Sequence, residues 1–283
     1  MGGNEKNEIF RQMRRELGLK YLNIQSREII HLETDEYCSE VLNILHDNSY
    51  LILAKTRQMM ISTLLCVHAI KRAIFNKKHT VIIIASNNMN KKHLMGITNN
   101  ILSNSGLSSI IEENKISLYA GGDIIFASLS NIDSLPGRRV DTLIFDEAAY
   151  SIKLEASLGV LLSQLNPGPG SQVILASTPK HNSYFNYLFL SAHSDPESPY
   201  TTKKLVYSDN SYMTPEKITA LSRSNYKDEE LLCHVTHKSF KVKTRLVTFR
   251  LDRKLLNKVK DKLSTGDISM TDYLRRLIEK DIG

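Results

Sequence analysis

Tryptophan is absent from this chain of 283 residues, and cysteine occurs only three times, at Cys38, Cys66 and Cys233. The three lie far apart and none belongs to a C-x-x-C pair. Neither a disulfide framework nor a zinc cluster is expected, and each cysteine reads as a small buried hydrophobe in a reducing compartment. No apolar run approaches the roughly 18 residues needed to span a membrane. The opening residues, Met1-Gly2-Gly3-Asn4-Glu5-Lys6, have no apolar signal-peptide core and no Ser or Thr at position 6, so they carry no mark of secretion or myristoylation. The expectation is a cytoplasmic protein with no membrane partner. Negative charge is scarce at one end: residues 241–283 hold twelve Lys and Arg against six Asp and Glu, which is +6 of the chain's net +7. A basic excess in so short a stretch points to a polyanion partner, the alternative being a solvated basic face.

What is present describes an ordinary globular protein, 41% apolar and 24% charged, long enough for one α/β domain and a small appendage. Residues 4–18 read as an amphipathic helix ending at Gly18, and Thr34 as the cap of a helix through residue 45. Short apolar runs at 50–54, 80–85, 140–145 and 172–176 read as buried strands, alternating with helices at 62–75 and 91–103. Residues 116–119 and 123–126 flank Ala120-Gly121-Gly122 and read as a hairpin. Continuous apolar strands alternating with helices predict an α/β fold with a mostly parallel sheet covered on both faces. Residues 191–230 are polar and weakly periodic, which predicts loops with short helices.

Three stretches carry chemistry. The first is Ala54-Lys55-Thr56-Arg57-Gln58-Met59-Met60-Ile61-Ser62-Thr63, running from a strand through a tight loop to a helix start, the geometry that cradles phosphate with backbone N–H groups. The pattern G-x-x-x-x-G-K-[ST] is not met, since Ala54, Met60 and Ile61 stand at its two glycines and lysine. The second is Thr142-Leu143-Ile144-Phe145-Asp146-Glu147-Ala148-Ala149-Tyr150, an apolar strand ending in paired acids. There Asp146 suits Mg²⁺, held through water or with the Ser62 hydroxyl, and Glu147 suits orienting and deprotonating a water. A solvated acidic turn is the alternative. The third, Val173-Ile174-Leu175-Ala176-Ser177-Thr178-Pro179-Lys180, delivers the Ser177 and Thr178 hydroxyls to the same sheet edge, either to sense a γ-phosphate or as ordinary turn chemistry.

In this order, the R-Q-M-x-x-S-T loop, D-E-A-A-Y, and S-T-P followed by Asn182 and Phe185 resemble the ATPase domain of phage terminase large subunits over about residues 30–240. The resemblance implies a P-loop NTPase-like fold that uses ATP and Mg²⁺ to move double-stranded DNA. It implies that Lys55 is a phosphate-binding lysine relocated to the loop's start and that Arg57 stabilises the transferring phosphate. Thr56, Gln58, Ser62 and Thr63 fall within the same nucleotide-binding signature. Ser177 and Thr178 fall in the coupling motif. Met60 stands where a glycine is usual, so its side chain is expected to crowd the turn. The family often has Arg-Gly before the acidic strand. Here Pro136-Gly137 is followed by Arg138 and Arg139, which supply an arginine finger to a neighbour or form a solvated basic turn.

Such motors also carry a nuclease on the order of 150 residues. About forty residues follow position 240, too few for it, so no DNA cleavage by this chain is expected. Those residues have their own pattern: an alternating run, Arg245-Leu246-Val247-Thr248-Phe249-Arg250-Leu251, then two helices separated by Gly266, the second capped near Ser269. This resembles the ribbon-helix-helix family of DNA-binding domains. The expected domains are therefore a terminase-like ATPase over residues 1–240 and a ribbon-helix-helix module over 241–283. In that family two chains pair strands and enter the major groove. Leu246, Thr248 and Arg250 would face DNA, and Ser269 would contact phosphate. A module this small needs a dimer; a dimerisation tail with no DNA role is the alternative. Two functions result. One is an ATP-driven DNA-packaging motor subunit, a homo-oligomer through its tail and as a ring, working with a portal, a small terminase or a separate nuclease chain. The other is a catalytically weak scaffold, decoy or regulator that binds DNA site-specifically. A helicase-like ATPase would need a second RecA-like domain, for which the length is insufficient.

Overall fold

A computed structural model of the chain describes residues 19–22, 29–32, 34–76, 78–119, 121–129, 139–168, 170–222 and 233–235. The expected helix at 4–18, the Arg138 position and the ribbon-helix-helix module, with Leu246, Thr248, Arg250 and Ser269, lie outside the described residues.

A small antiparallel pair, β1 (Lys20–Leu22) and β2 (Ile29–His31), precedes helix α1 (Glu36–Asp47). The main alternation then runs β3 (Tyr50–Lys55), α2 (Ile61–Phe75), β4 (Thr80–Ala85) and α3 (Asn88–Asn104). Three strands follow, β5 (Ser109–Ile111), β6 (Lys115–Leu118) and β7 (Asp123–Ser128), then β8 (Thr142–Asp146) and α4 (Leu154–Leu162). The described part ends with β9 (Gln172–Ser177), α5 (Tyr184–Ser194), β10 (Thr201–Leu205) and α6 (Pro215–Ser222). Eight strands form one sheet in the order β10-β3-β9-β8-β4-β7-β6-β5. It is parallel from β10 to β7, and β6 and β5 return antiparallel.

Period-two alternation sends successive strand residues to opposite faces. Leu51, Leu53, Val81 and Ile83 pack with α1, α2 and α3 on one side. Ile52, Ala54, Ile82, Ile84 and Phe145 pack with α4 and α5 on the other, joined by Cys233 and Val235. With each strand buried on both faces, a run such as Val81-Ile82-Ile83-Ile84 is apolar throughout. The expected α/β sheet with helices on both faces is thus present. All three cysteines are buried and free. Among the described residues no helix is long and apolar enough to cross a membrane.

Several boundaries differ from the sequence expectation. Thr34 does not cap α1. Asp35 does, accepting from the Cys38 N–H at 2.8 Å while Tyr212 Oη donates to its other oxygen at 2.8 Å. Helix α3 starts at Asn88 because Asn87 caps it through the Asn90 N–H at 2.9 Å. The largest miss is β10. Its sequence, Thr-Thr-Lys-Lys-Leu, is mostly exposed, so it has no apolar run, and lysines are the usual protection of an edge strand. Gly122, in the expected hairpin, is dictated by packing: a Cβ there would fall 2.2 Å from the Ala73 carbonyl oxygen of α2.

The amino-terminal strand ends carry a buried polar cluster. His79 Nε2 lies 2.9 Å from Thr142 Oγ1, Arg72 Nε donates to the same hydroxyl at 3.2 Å, and Asp141 Oδ2 accepts from the Thr80 N–H at 2.8 Å. Nearby, Gln172 accepts from His68 at 2.6 Å and donates to the Leu45 and Asn48 carbonyls at 2.6 and 2.8 Å. These bonds tie α1 and α2 to the start of β9 at the edge opposite the site described next.

Candidate nucleotide site

Parallel register brings three chemistry-bearing segments level at the carboxyl edge of the sheet. Ala54 pairs with Ser177, and Ala176 pairs with Asp146. Lys55, Ser177, Thr178, Asp146 and Glu147 therefore emerge from adjacent strands, where open α/β sheets hold ligands. Strand β9, with the two hydroxyls, stands between the loop strand and the acidic strand.

The loop between β3 and α2 contains two left-handed residues, Gln58 (φ 59°) and Met60 (φ 55°). Such residues cost about 1–2 kcal/mol each when they are not glycine, and they turn backbone N–H groups toward the inside of a bend. The loop is clamped from behind. Tyr37 Oη donates to the Met59 carbonyl at 2.7 Å, Asn210 Nδ2 to Met59 Sδ at 3.7 Å, and the Thr56 N–H to the Leu205 carbonyl at 3.0 Å. The Met60 side chain packs against the core beneath α1 to α3. The expected crowding of the turn is corrected accordingly: the backbone makes the bend a glycine would make, and the side chain is directed into the core. Helix α2 starts at Ile61 with no side-chain cap and no acid in its first turn. Its first backbone bond runs from the Leu64 N–H to the Met60 carbonyl at 3.0 Å. The Ile61, Ser62 and Thr63 N–H groups precede that bond, and together with the helix dipole they favour an anion.

Two contacts join the loop to the acids. Ser62 Oγ donates to Asp146 Oδ2 at 2.9 Å. Lys55 Nζ donates to Glu147 Oε1 in a short ion pair, with Lys55 buried. The other Glu147 oxygen, Oε2, lies 3.2 Å from Ser177 Oγ, 3.2 Å from the Thr178 N–H and 3.1 Å from Thr178 Oγ1. Glu147 itself is left-handed (φ 53°), a strained conformation of the kind stored at functional sites. Burial works to raise its pKa, but the Lys55 ammonium and the Thr178 donors outweigh it and hold the carboxyl below its usual range. Asp146 goes the other way: burial, then repulsion from Glu147, push it up to about 6 against the pull of Lys55 and Ser62.

Asp146 Oδ1 is buried and has no hydrogen-bond partner. An ionised oxygen in that condition is costly unless something satisfies it, and a hard cation beside a carboxylate and a serine hydroxyl does so. Among the described residues no three His, Cys, Asp or Glu side chains converge, so a cation on Asp146 and Ser62 would complete its shell with water or phosphate oxygens, as Mg²⁺ commonly does. Mg²⁺ therefore fits these residues.

The remaining expected residues divide. Arg57 Nη2 donates to Tyr150 Oη at 2.8 Å, beside the Glu147 network. Thr56 is buried with its hydroxyl unpartnered. Gln58 is exposed at the loop's tip. Thr63 turns away: it is buried and hydrogen-bonds Tyr21 of β1. Arg139 is exposed ahead of β8. Sequence reasoning overlooked two groups. Tyr150 receives Arg57 and lies 3.3 Å from Thr178 Oγ1, and Lys180 Nζ sits 5.2 Å from the centre of its ring. Tyr150 closes the D-E-A-A-Y stretch, yet its partners are 28 and 93 residues away, and no local spacing connects them.

No family model and no curated protein matches the chain. Solved structures do. The chain is similar to the large terminase ATPase domain of Thermus phage P74-26, with 16% identity, 69% of this chain and 93% of that one covered, and a TM-score of 0.53. It is similar to the full large terminase of another thermophilic bacteriophage at 13% identity, over 68% of this chain and 50% of that one, with a TM-score of 0.57. That second terminase has also been solved with ADP and with ATP-γ-S. The HK97 bacteriophage large terminase matches at 11% identity over 90% of this chain and 52% of that one, with a TM-score of 0.57. The chain thus spans about half the length of these last two proteins. At these identities the likeness shows the fold: the large, mostly parallel sheet described above is that of phage large terminase ATPase domains.

Proposed function

We propose that this chain binds ATP at the carboxyl edge of the sheet and hydrolyses it, as a motor-like subunit of viral DNA packaging. The single observation that supports this best is the double link across the edge, Lys55 to Glu147 and Ser62 to Asp146. A phosphate-seeking cation, a metal-seeking pair and a carboxylate able to take a proton from water are gathered beside an uncapped helix start. The nucleotides bound in structures of the thermophilic bacteriophage terminase make ATP the natural ligand.

The residues divide the work as follows. The N–H groups at the start of α2 and the Lys55 ammonium bind phosphate oxygens. Asp146 and Ser62 hold Mg²⁺, which when bound neutralises charge on the β- and γ-phosphates. Arg57 offsets charge on the transferring group. In this structure Lys55 and Glu147 neutralise each other. Phosphate oxygens that draw Lys55 away leave Glu147 oriented by Ser177 and Thr178 and raise its basicity, so that it accepts the proton of the attacking water. Substrate arrival and activation of the base are then one event.

The basic tail, read as a ribbon-helix-helix dimer, would hold double-stranded DNA through Leu246, Thr248, Arg250 and Ser269, with a portal or small terminase as further partners. The mutual neutralisation of Lys55 and Glu147 also favours a second reading, a scaffold whose site is stable without turnover. Phosphate release by purified protein, with and without double-stranded DNA, separates the two. Mg²⁺-dependent turnover stimulated by DNA is expected; tight nucleotide binding with no turnover supports the scaffold.

A further inference from the structure

Tyr150 ends the short 3-10 turn Ala148–Tyr150 that follows Glu147, and it touches both other segments of the site. Its hydroxyl accepts from Arg57 Nη2 at 2.8 Å and lies 3.3 Å from Thr178 Oγ1, which lies 3.1 Å from Glu147 Oε2. Its ring has Arg57 Cζ 5.7 Å and Lys180 Nζ 5.2 Å from its centre, within reach of a cation–π attraction.

Counting protons gives the chain of bonds a direction. A guanidinium only donates and an ionised carboxylate only accepts. Thr178 has one hydroxyl proton. Given to Glu147, it leaves Thr178 Oγ1 as an acceptor, and the Tyr150 hydroxyl proton fills that role while the Tyr150 oxygen accepts from Arg57. Donation then runs one way, Arg57 to Tyr150 to Thr178 to Glu147, and each bond polarises the next.

We propose that Tyr150 is a positioning residue: its hydroxyl holds Thr178 in the orientation that donates to Glu147, and so fixes the carboxylate from the side opposite Lys55. When Lys55 and Arg57 turn to phosphate, the phenol still donates to Thr178. Glu147 is then held chiefly by its Ser177 and Thr178 bonds, and the phenol matters most. This rests on the ATPase reading above.

The test uses purified full-length protein, with steady-state phosphate release against ATP concentration for wild type, Tyr150→Phe, Thr178→Val and the double variant. ADP affinity and thermal unfolding are measured alongside. The phenylalanine keeps the ring that carries Arg57 and Lys180 and loses only the hydroxyl. A relay predicts kcat reduced about tenfold, the loss of one hydrogen bond in a network, with KM, ADP affinity and Tm near wild type. The double variant should be no slower than Thr178→Val alone. Wild-type kcat in Tyr150→Phe, or losses that add in the double variant, overturns the relay while leaving ATP hydrolysis standing. A wild-type protein that releases no phosphate overturns both.

Discussion

Glu147 and Lys55 are worth more as a pair than as two residues. Glu147→Gln keeps an oxygen for Lys55 and the shape of the site but removes the proton acceptor. ATP binding should persist while turnover falls at least about 100-fold; equal hydrolysis rates in variant and wild type would exclude Glu147 as the base. Lys55→Ala should weaken nucleotide binding, and it also leaves a carboxylate in a mostly buried site without its counter-charge. Loss of one partner of such a pair costs about 3 kcal/mol, so a lower thermal midpoint should accompany the lost affinity. Unchanged affinity would move the phosphate contact elsewhere in the loop. Met60 combines a left-handed backbone with a side chain packed in the core. Met60→Gly relieves the first and forfeits the second, so nucleotide affinity should equal or exceed that of wild type. A tenfold loss, about 1.4 kcal/mol, would show that the methionine contact shapes the loop.

Among the elements, α2 connects the two edges of the sheet. Its start faces the candidate site, and its last turn meets Gly122 and the His79 cluster. Gly122→Ala puts a methyl against the Ala73 carbonyl. Backbone must shift to admit it, and a loss of about 1–3 kcal/mol in urea unfolding is expected; an unchanged midpoint would mean that the β6–β7 turn yields freely. His79 titrates with the opposite edge. Burial, then the Arg72 charge, lower its pKa to about 4 despite Asp141. The unfolded chain takes up a proton near the ordinary value of about 6.5, whereas the folded chain resists until about 4. Between those values the unfolded state binds more protons, so stability is complete above the window and falls as pH drops through it. Thermal unfolding of wild type should show that fall, and His79→Gln should flatten it. Equal slopes in the two proteins would assign the acid sensitivity to other groups.

For the whole molecule, the charge concentrated in residues 241–283 predicts duplex DNA binding that weakens steeply with salt. Arg250→Ala should cost about 1–3 kcal/mol and relax sequence preference. Deleting the tail should abolish DNA retention in a gel-shift assay and leave basal ATP turnover intact; a deletion that still binds DNA equally well assigns binding to residues 1–240. The fold class and the order of the three motif stretches were legible from residues 50–178 alone. A strand buried on both faces must be apolar throughout, and a strand that ends at a ligand edge must end in polar groups, so both properties are written locally. The left-handed turn at Met60, the edge strand β10 and the Arg57–Tyr150–Thr178–Glu147 chain were not legible. An exposed edge strand carries no apolar period, and a backbone bend leaves no mark when its residue is not glycine. The Tyr150 contacts arise only when parallel register sets β3, β9 and β8 side by side. Sequence spacing decides which residues lie on one strand, and only the packing of strands decides which side chains meet across them.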